Sequence, residues 1–227
     1  MSGASRIIRI NFEEYKKRIF HNSIAISAKK PHLIKKKQSQ IVEGACQVFF
    51  KKGFHKASIR EIASSCSMSM GQLYHYISCK DDVLFLVHQH MQQIWYEHLK
   101  NSGFERIDDP IQRLTQAIGK TLEFIANNKK LFQFIYMESK HLDKEHLASV
   151  LDIDDKNVVG FYRQLLLDVK KRDFTEKERD LAANLIAYLS VFLALRGWNL
   201  KKTNLKENTD FVTEFILGGL GIKSLKS

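Results

Sequence analysis

Apolar positions recur at intervals of three and four along most of this chain, and no Asn-Gly or Asp-Gly turn separates alternating apolar runs, so the pattern is that of helices. Near the start Ile8, Phe12, Tyr15 and Ile19 form one stripe of a basic amphipathic helix. After "KKPHLIKKK", with Pro31 placed to begin a helix, Ile41, Ala45 and Phe49 fall on one line with Val42, Cys46 and Phe50 beside it. A helix is therefore predicted from about Leu33 to Lys52, with Gly53 supplying the left-handed residue that ends it. Ser58 and Glu61 make a capping box for a short helix ending near Ser65. Ser69 and Gln72 repeat the device for another over Met70 to Tyr76. Two helices joined by a turn of about four residues form a helix-turn-helix unit.

Beyond it, Asp81 and Asp82 open a helix whose apolar face is Leu84, Val87, Met91, Ile94 and Trp95. Asp109-Pro110 starts another through Leu114, Ala117, Ile118, Leu122 and Ile125. Further helices are expected over Lys129 to Glu138 and from His146 to Lys171. Thr175 and Glu178 make a third capping box ahead of an apolar helix ending near Asn199, and a last helix begins around Asn208 and stops at Gly218-Gly219. The run from Leu181 to Leu195, bounded by Asp180 and Arg196, reads as too short for a bilayer span and as a buried helix. The fold class is all-α.

Charge changes this picture, because it divides the chain. Residues 1–80 hold 15 Lys+Arg against 4 Asp+Glu, whereas residues 81–227 hold 21 against 21. The whole formal net charge of +11 therefore lies in the first third, which points that end at a polyanion and leaves the remainder neutral. A solubilising basic tail is the plainer alternative. Three cysteines without a Cys-x-x-Cys pair suggest reduced thiols in a cytoplasmic protein, and no secretory leader is expected. No phosphate-binding glycine loop, nucleophile elbow or His-Glu-x-x-His occurs, so an enzyme is not expected, nor a metal or cofactor. His88 and His90, like His141 and His146, lack ligand spacing and read as surface residues. Asp152, Asp154 and Asp155 lack the glycine and closing glutamate of a calcium loop and read as a loop or a helix start.

In the helix-turn-helix unit, Ile62, Ala63, Met68, Leu73 and Ile77 are the positions that would hold its helices against the first. Arg60, Met70, Gln72, Tyr74 and His75 are left facing outward. A helix entering the major groove needs such amide and guanidinium forks for base edges, hydroxyls for phosphate and flexible apolar groups for thymine methyls. Free backbone N–H groups near Ser58 would suit a phosphate. Residues 38–84 resemble the DNA-binding domain of the TetR/AcrR family of bacterial transcriptional repressors. The resemblance rests on "IVEGACQVFFKKGFHKASIREIA" and "SMSMGQLYHYISCKDDVL", with Ala45, Phe49, Gly53-Phe54, Ile62-Ala63, Gly71, Leu73-Tyr74, Tyr76 and Lys80 in place. It implies that Tyr74 and Lys80 grip phosphates, and makes Arg60, Met70, Gln72 and His75 the candidates for base contact. Two positions depart from the family pattern: Ser67 stands where glycine is usual in the turn, and Ile77 where phenylalanine is usual. A serine adopts the tight turn at some cost.

The resemblance further implies a helical C-terminal domain that binds a small molecule and dimerises through its last two long helices. The expected division is a basic extension over 1–32, a three-helix DNA-binding domain over 33–80 and an effector-binding and dimerisation domain over 81–227. A two-fold homodimer would read a palindromic operator in double-stranded DNA. Phe124, Phe134, Met137, Phe161, Tyr188 and Phe192 are the expected ligand wall, although Phe and Tyr stripes at helical spacing are more often plain core. Arg163 and Arg196 lie in apolar helices, either beside an acidic ligand or, more simply, salt-bridged or snorkelling. The lipophilic lining suggests a hydrophobic effector such as a fatty acyl thioester. The alternative function is a membrane-associated small-molecule sensor that uses the basic N-terminal helix.

Overall fold

A short helix persists only if its end groups find partners, and six of the described helices carry a side-chain cap at their start. A computed structural model describes residues 31–170, 173–200 and 202–222. The expected stripe from Ile8 to Ile19 lies outside the described residues.

Helix α1 (Pro31–Lys56) is broken at Gly53, whose φ of 74° and ψ of 167° suit a residue without a Cβ. Ser58 caps α2 (Ile59–Ser65) and Ser69 caps α3 (Met70–Tyr74), each with the reciprocal box expected of Glu61 and Gln72. Between α2 and α3 the chain reverses through Ser67 at φ 54°, with Met68 N–H donating to the Ala63 carbonyl at 2.9 Å. Serine there carries the strain that glycine would avoid. Ile41, Phe49, Ile62, Leu73 and Ile77 are at most 2% exposed and lock α1, α2 and α3 together. The tightest approach is at Gly44: a side-chain carbon there would sit 2.5 Å from Cys66 Sγ and 2.9 Å from its backbone nitrogen, so α1 and α2 meet only because that position is glycine.

Helix α4 (Lys80–Asn101) begins by closing this unit with Val83 and Leu84 and then runs on into the body. Asp82, rather than a side chain at the cap itself, accepts the Ser78 and Cys79 N–H groups. The body is built around α5 (Pro110–Asn127), capped by Asp109 with Pro110 in the first turn. Its Leu114, Ala117, Ile118 and Leu122 are fully buried. Around it stand α4, α6 (Lys129–Glu138), a helical rod made of α7 (Lys144–Asp154), a π-helical turn (Asp155–Val159) and α8 (Gly160–Asp168), then α9 (Glu176–Ser190), α10 (Phe192–Arg196) and α11 (Leu205–Gly219). No strand occurs among the described residues.

Three expectations are corrected here. The helix expected from His146 to Lys171 starts at Lys144 behind an Asp143 cap and is interrupted by the π turn. The apolar helix expected to reach Asn199 breaks at Val191, where Ser190 Oγ donates back to the Ile186 carbonyl at 2.7 Å, a bond that bends helices. The last helix starts at Leu205, because Asn204 and Glu207 form a fourth capping box. Taken across its break, the stretch Glu176–Asn199 is long and apolar enough to cross a membrane by length and composition, so length alone does not exclude a span. Ala182, Ala183 and Ile186 on its inner face are buried against the rest of the body.

Candidate nucleic-acid interface and effector cavity

Helix α3 stands proud of the first unit because its anchoring side chains all lie on one face: Leu73 is fully buried, while Gly71, Gln72, Tyr74 and His75 are exposed. Arg60 on α2 is exposed beside them, and half of Tyr74 remains open. These are the residues a duplex groove would meet. Others of the expected set are engaged inside the protein. Met70 is half-buried against the core and offers only its edge. Gln72 uses its carbonyl oxygen to cap Ser69 N–H at 2.9 Å, which leaves its amide NH2 to face outward.

Ser58 and Lys80 also make contacts inside the protein. Glu61 already accepts both the Ser58 N–H (3.0 Å) and its hydroxyl (2.9 Å), and Lys52 pairs with the same carboxylate. The Lys52 contact and then the Ser58 bonds hold the Glu61 carboxyl down to about 2, so a phosphate at this helix start would have to displace a charged carboxylate. The Lys80 ammonium donates to the carbonyls of Phe54, His55 and Ala57 at 2.9, 3.2 and 3.2 Å and lies 4.5 Å from the Phe54 ring centroid. It satisfies the chain end left open beyond Gly53 and so ties α1 to α4.

The body contains a cavity of about 370 Å³ bounded by α4, α5, α6, α7, the π turn, α8 and α9. His88, Met91, Gln92 and Trp95 supply one stripe of α4, and Phe132, Ile135, Tyr136 and Ser139 supply one face of α6 and the turn after it. Trp95 Nε1 and Tyr162 OH both donate to Thr121 Oγ1, at 3.1 and 2.8 Å, tying three walls together. Asn157 of the π turn donates to Gln92 Oε1 at 2.8 Å. Ser139 Oγ lies within hydrogen-bond reach of both the Ile135 carbonyl and, at 3.1 Å, His88 Nε2. Burial holds the His88 imidazole down to about 4, which keeps it neutral. Asp154 lines the cavity with its carboxyl pushed up to about 6, by burial first and by neighbouring Asp155 second.

Of the expected ligand wall only Tyr188 lines this cavity. Phe161 stands one helical step from Tyr162 and packs behind the wall on Trp95 and Phe104, with ring centroids 5.4 and 5.6 Å away. Phe124 packs on Phe132 and His98. Phe134 points away from Phe132 across α6 and stacks on Phe49 at 5.1 Å. Met137 (66% exposed) and Phe192 lie on the outside. Arg163 pairs with Asp155 and Asp180, and Arg196 lies 5.6 Å from the Trp198 ring centroid, so neither faces the cavity.

Histidines join the first unit to the body, contrary to the surface role expected of them. His146 bridges Asp82 (2.8 Å) and Asp143 (2.7 Å), and His55 meets His141 at 2.8 Å. Burial opposes charge on His146, but the two carboxylates outweigh it and raise its proton affinity. On the outer face of the body Leu181, Leu185 and Tyr188 of α9 and Phe211 and Phe215 of α11 are 49–69% exposed.

Residues 41–87 match the profile of the bacterial regulatory proteins of the tetR family. Among characterised relatives, the HTH-type transcriptional regulator HbdR of Aromatoleum sp. is 24% identical over 122 residues, 54% of this chain and 53% of that protein, so the chain spans about half the length of this relative. A tetR-family regulatory protein from Rhodococcus RHA1 superposes with a TM-score of 0.69 at 21% identity, covering 83% of this chain and 99% of that one. The regulator FadR of Bacillus subtilis, in complex with stearoyl-CoA, superposes with a TM-score of 0.64 at 18% identity, covering 80% and 98%. The helix-turn-helix unit, residues 41–87, matches that of the tetR family of bacterial regulatory proteins, and the described chain shares the fold of TetR-family structures.

Proposed function

We propose that the protein is a ligand-responsive transcriptional regulator, most simply a cytoplasmic repressor, that binds a palindromic operator as a homodimer and is released by a hydrophobic small molecule. The observation that carries this reading is the exposed α3 face on a capped, rigid first unit, joined through α4 to a body holding a cavity of about 370 Å³. Residues 33–80 would be the reading head, with Arg60, Gln72, Tyr74 and His75 at the groove, and residues 81–227 the effector and pairing body. The exposed apolar residues of α9 and α11 form one outer patch that a second copy would cover as a four-helix interface. The fatty acyl thioester suggested by the apolar lining finds a parallel in the stearoyl-CoA complex of the Bacillus relative. Membrane sensing is not favoured by the comparisons.

Control follows from linkage. His88, Met91, Gln92 and Trp95 line the cavity from the same helix whose first turns close the reading head, and Asp82 ties that helix to α7 through His146. A ligand that prefers a different tilt of α4 must weaken DNA binding by the factor by which DNA weakens the ligand. Electrophoretic shift of a candidate promoter duplex, with and without effector extracts, tests this. Sequence-selective binding that the extract reverses is expected, and binding indifferent to both sequence and extract would sink the reading.

A further inference from the structure

The effector cavity has one formal charge, and it is negative. Among its lining residues there is no lysine or arginine, and His88 is held neutral. Asp154 ends the stripe of α7 that turns Leu147, Val150 and Leu151 to the cavity, and the π turn that follows brings Val158 and Val159 onto it as well. Its neighbours are neutralised: Lys156 pairs with Asp152 at 2.6 Å, and Arg163 pairs with Asp155 and Asp180. Among the described residues no hydrogen bond or ion pair reaches the Asp154 carboxylate. Tyr136 and Tyr188 also line the cavity, and the Asp154 charge acts on Tyr136.

A half-buried carboxylate without a partner is a liability that a surface position would relieve. Here it faces a chamber whose other walls are aromatic, aliphatic and uncharged polar, with no cation among the lining residues. Two tyrosine rings and a carboxylate at the edge of an apolar cavity are the elements that hold an ammonium group, by cation–π attraction and by a charge-assisted hydrogen bond. A carboxylate or phosphate in the same place would meet Asp154 with no cation to offset it.

We propose that the effector is an amphiphilic amine, an apolar body carrying one cationic nitrogen, with Asp154 as its counter-ion and Tyr136 and Tyr188 as its aromatic walls. This rests on the ligand-responsive reading above and narrows it, replacing the acyl thioester with a ligand of opposite polar end. It makes Asp154 a specificity residue: the apolar walls accept any chain of suitable length, and the carboxylate selects the head.

The test uses the full chain and four probes of equal chain length: decylamine, decanol, decanoate and decanoyl coenzyme A. Binding is read from the fluorescence of Trp95, which lines the cavity, and from calorimetry. Decylamine should bind about tenfold or more tightly than decanol or decanoate, the scale of one hydrogen-bonded charge in a half-buried site. In Asp154→Asn that preference over decanol should vanish while decanol binding persists, and Asp154→Glu should restore part of it. Circular dichroism of both variants confirms that the fold is intact. Equal binding of amine and alcohol, an amine preference that survives Asp154→Asn, or tighter binding of decanoate or the coenzyme A ester overturns the proposal. Operator binding measured without any probe separates the two readings: its loss would refute the regulator, whereas intact operator binding with no amine preference refutes only the assigned ligand.

Discussion

The proposed reading head and the cavity of the body share one helix, α4, yet they are organised differently. The helices of the head are capped by contacts close in sequence, Ser58 with Glu61, Ser69 with Gln72 and Asp82 with Ser78 and Cys79, and its longer hydrogen bonds, such as Lys80 to Phe54, span at most 26 positions. The chamber is assembled from α4, α5, α6, α7, the π turn, α8 and α9, which span residues 80 to 190. Its polar groups find partners 26 to 65 positions away, as in Trp95 with Thr121, Tyr162 with Thr121 and Asn157 with Gln92. A head capped locally holds its shape independently of the body. A chamber built from distant parts can change its ligand through single substitutions without disturbing the head.

That contrast is open to five experiments. The largest effect should come from the outer patch of the body: Phe215→Glu is expected to yield monomers in sedimentation and to weaken operator binding on the order of 100-fold, because two linked reading heads become one. Next, Gly44→Ala should destabilise the head by roughly 1–3 kcal/mol in chemical denaturation, since the new methyl overlaps Cys66. Probe binding in the body should survive it; joint loss would mean that head and chamber are not separable.

Lys80→Met should cost about 1–3 kcal/mol of stability by orphaning three carbonyls. The salt dependence of residual DNA binding should keep its slope, whereas a phosphate-gripping lysine would flatten it by about one charge. The junction between the two regions is tuned by pH. His146 binds its proton more tightly folded than free, so its stabilising effect is complete below the ordinary value of 6.5 and is lost as pH rises through the raised value. Denaturation midpoints of the wild type minus those of His146→Gln should therefore shrink from about pH 5 to about pH 8; a growing difference would reverse the assigned sign. The smallest effect belongs to the turn: Ser67→Gly should stabilise by roughly 0.5–1 kcal/mol, because glycine accepts φ 54° without strain.

The same contrast governs what the amino-acid sequence disclosed. Capping boxes operate over four residues and hydrophobic stripes over eight, so the helix-turn-helix, its turn and its buried face were legible residue by residue. The internal bonds of Lys80 were not legible, because its partners are carbonyls, which carry no side-chain signature. The chamber was poorly legible: bulk and aromaticity selected Phe124, Phe134 and Phe161, which fill core, while the true lining mixes polar with apolar groups. One signal was available. His88 and Gln92 share the stripe of Met91 and Trp95, and polar residues inside an apolar stripe mark either a buried network or a site. The π turn left no pattern in the sequence.

The most direct measurement of the central claim is selection of bound duplexes from a random DNA pool by the full chain, followed by affinity across a salt series. The account predicts enrichment of an inverted repeat with half-sites spaced by about one helical turn or a multiple of it, and affinity that falls steeply as salt rises. A pool that shows no enriched sequence at any ionic strength would contradict it.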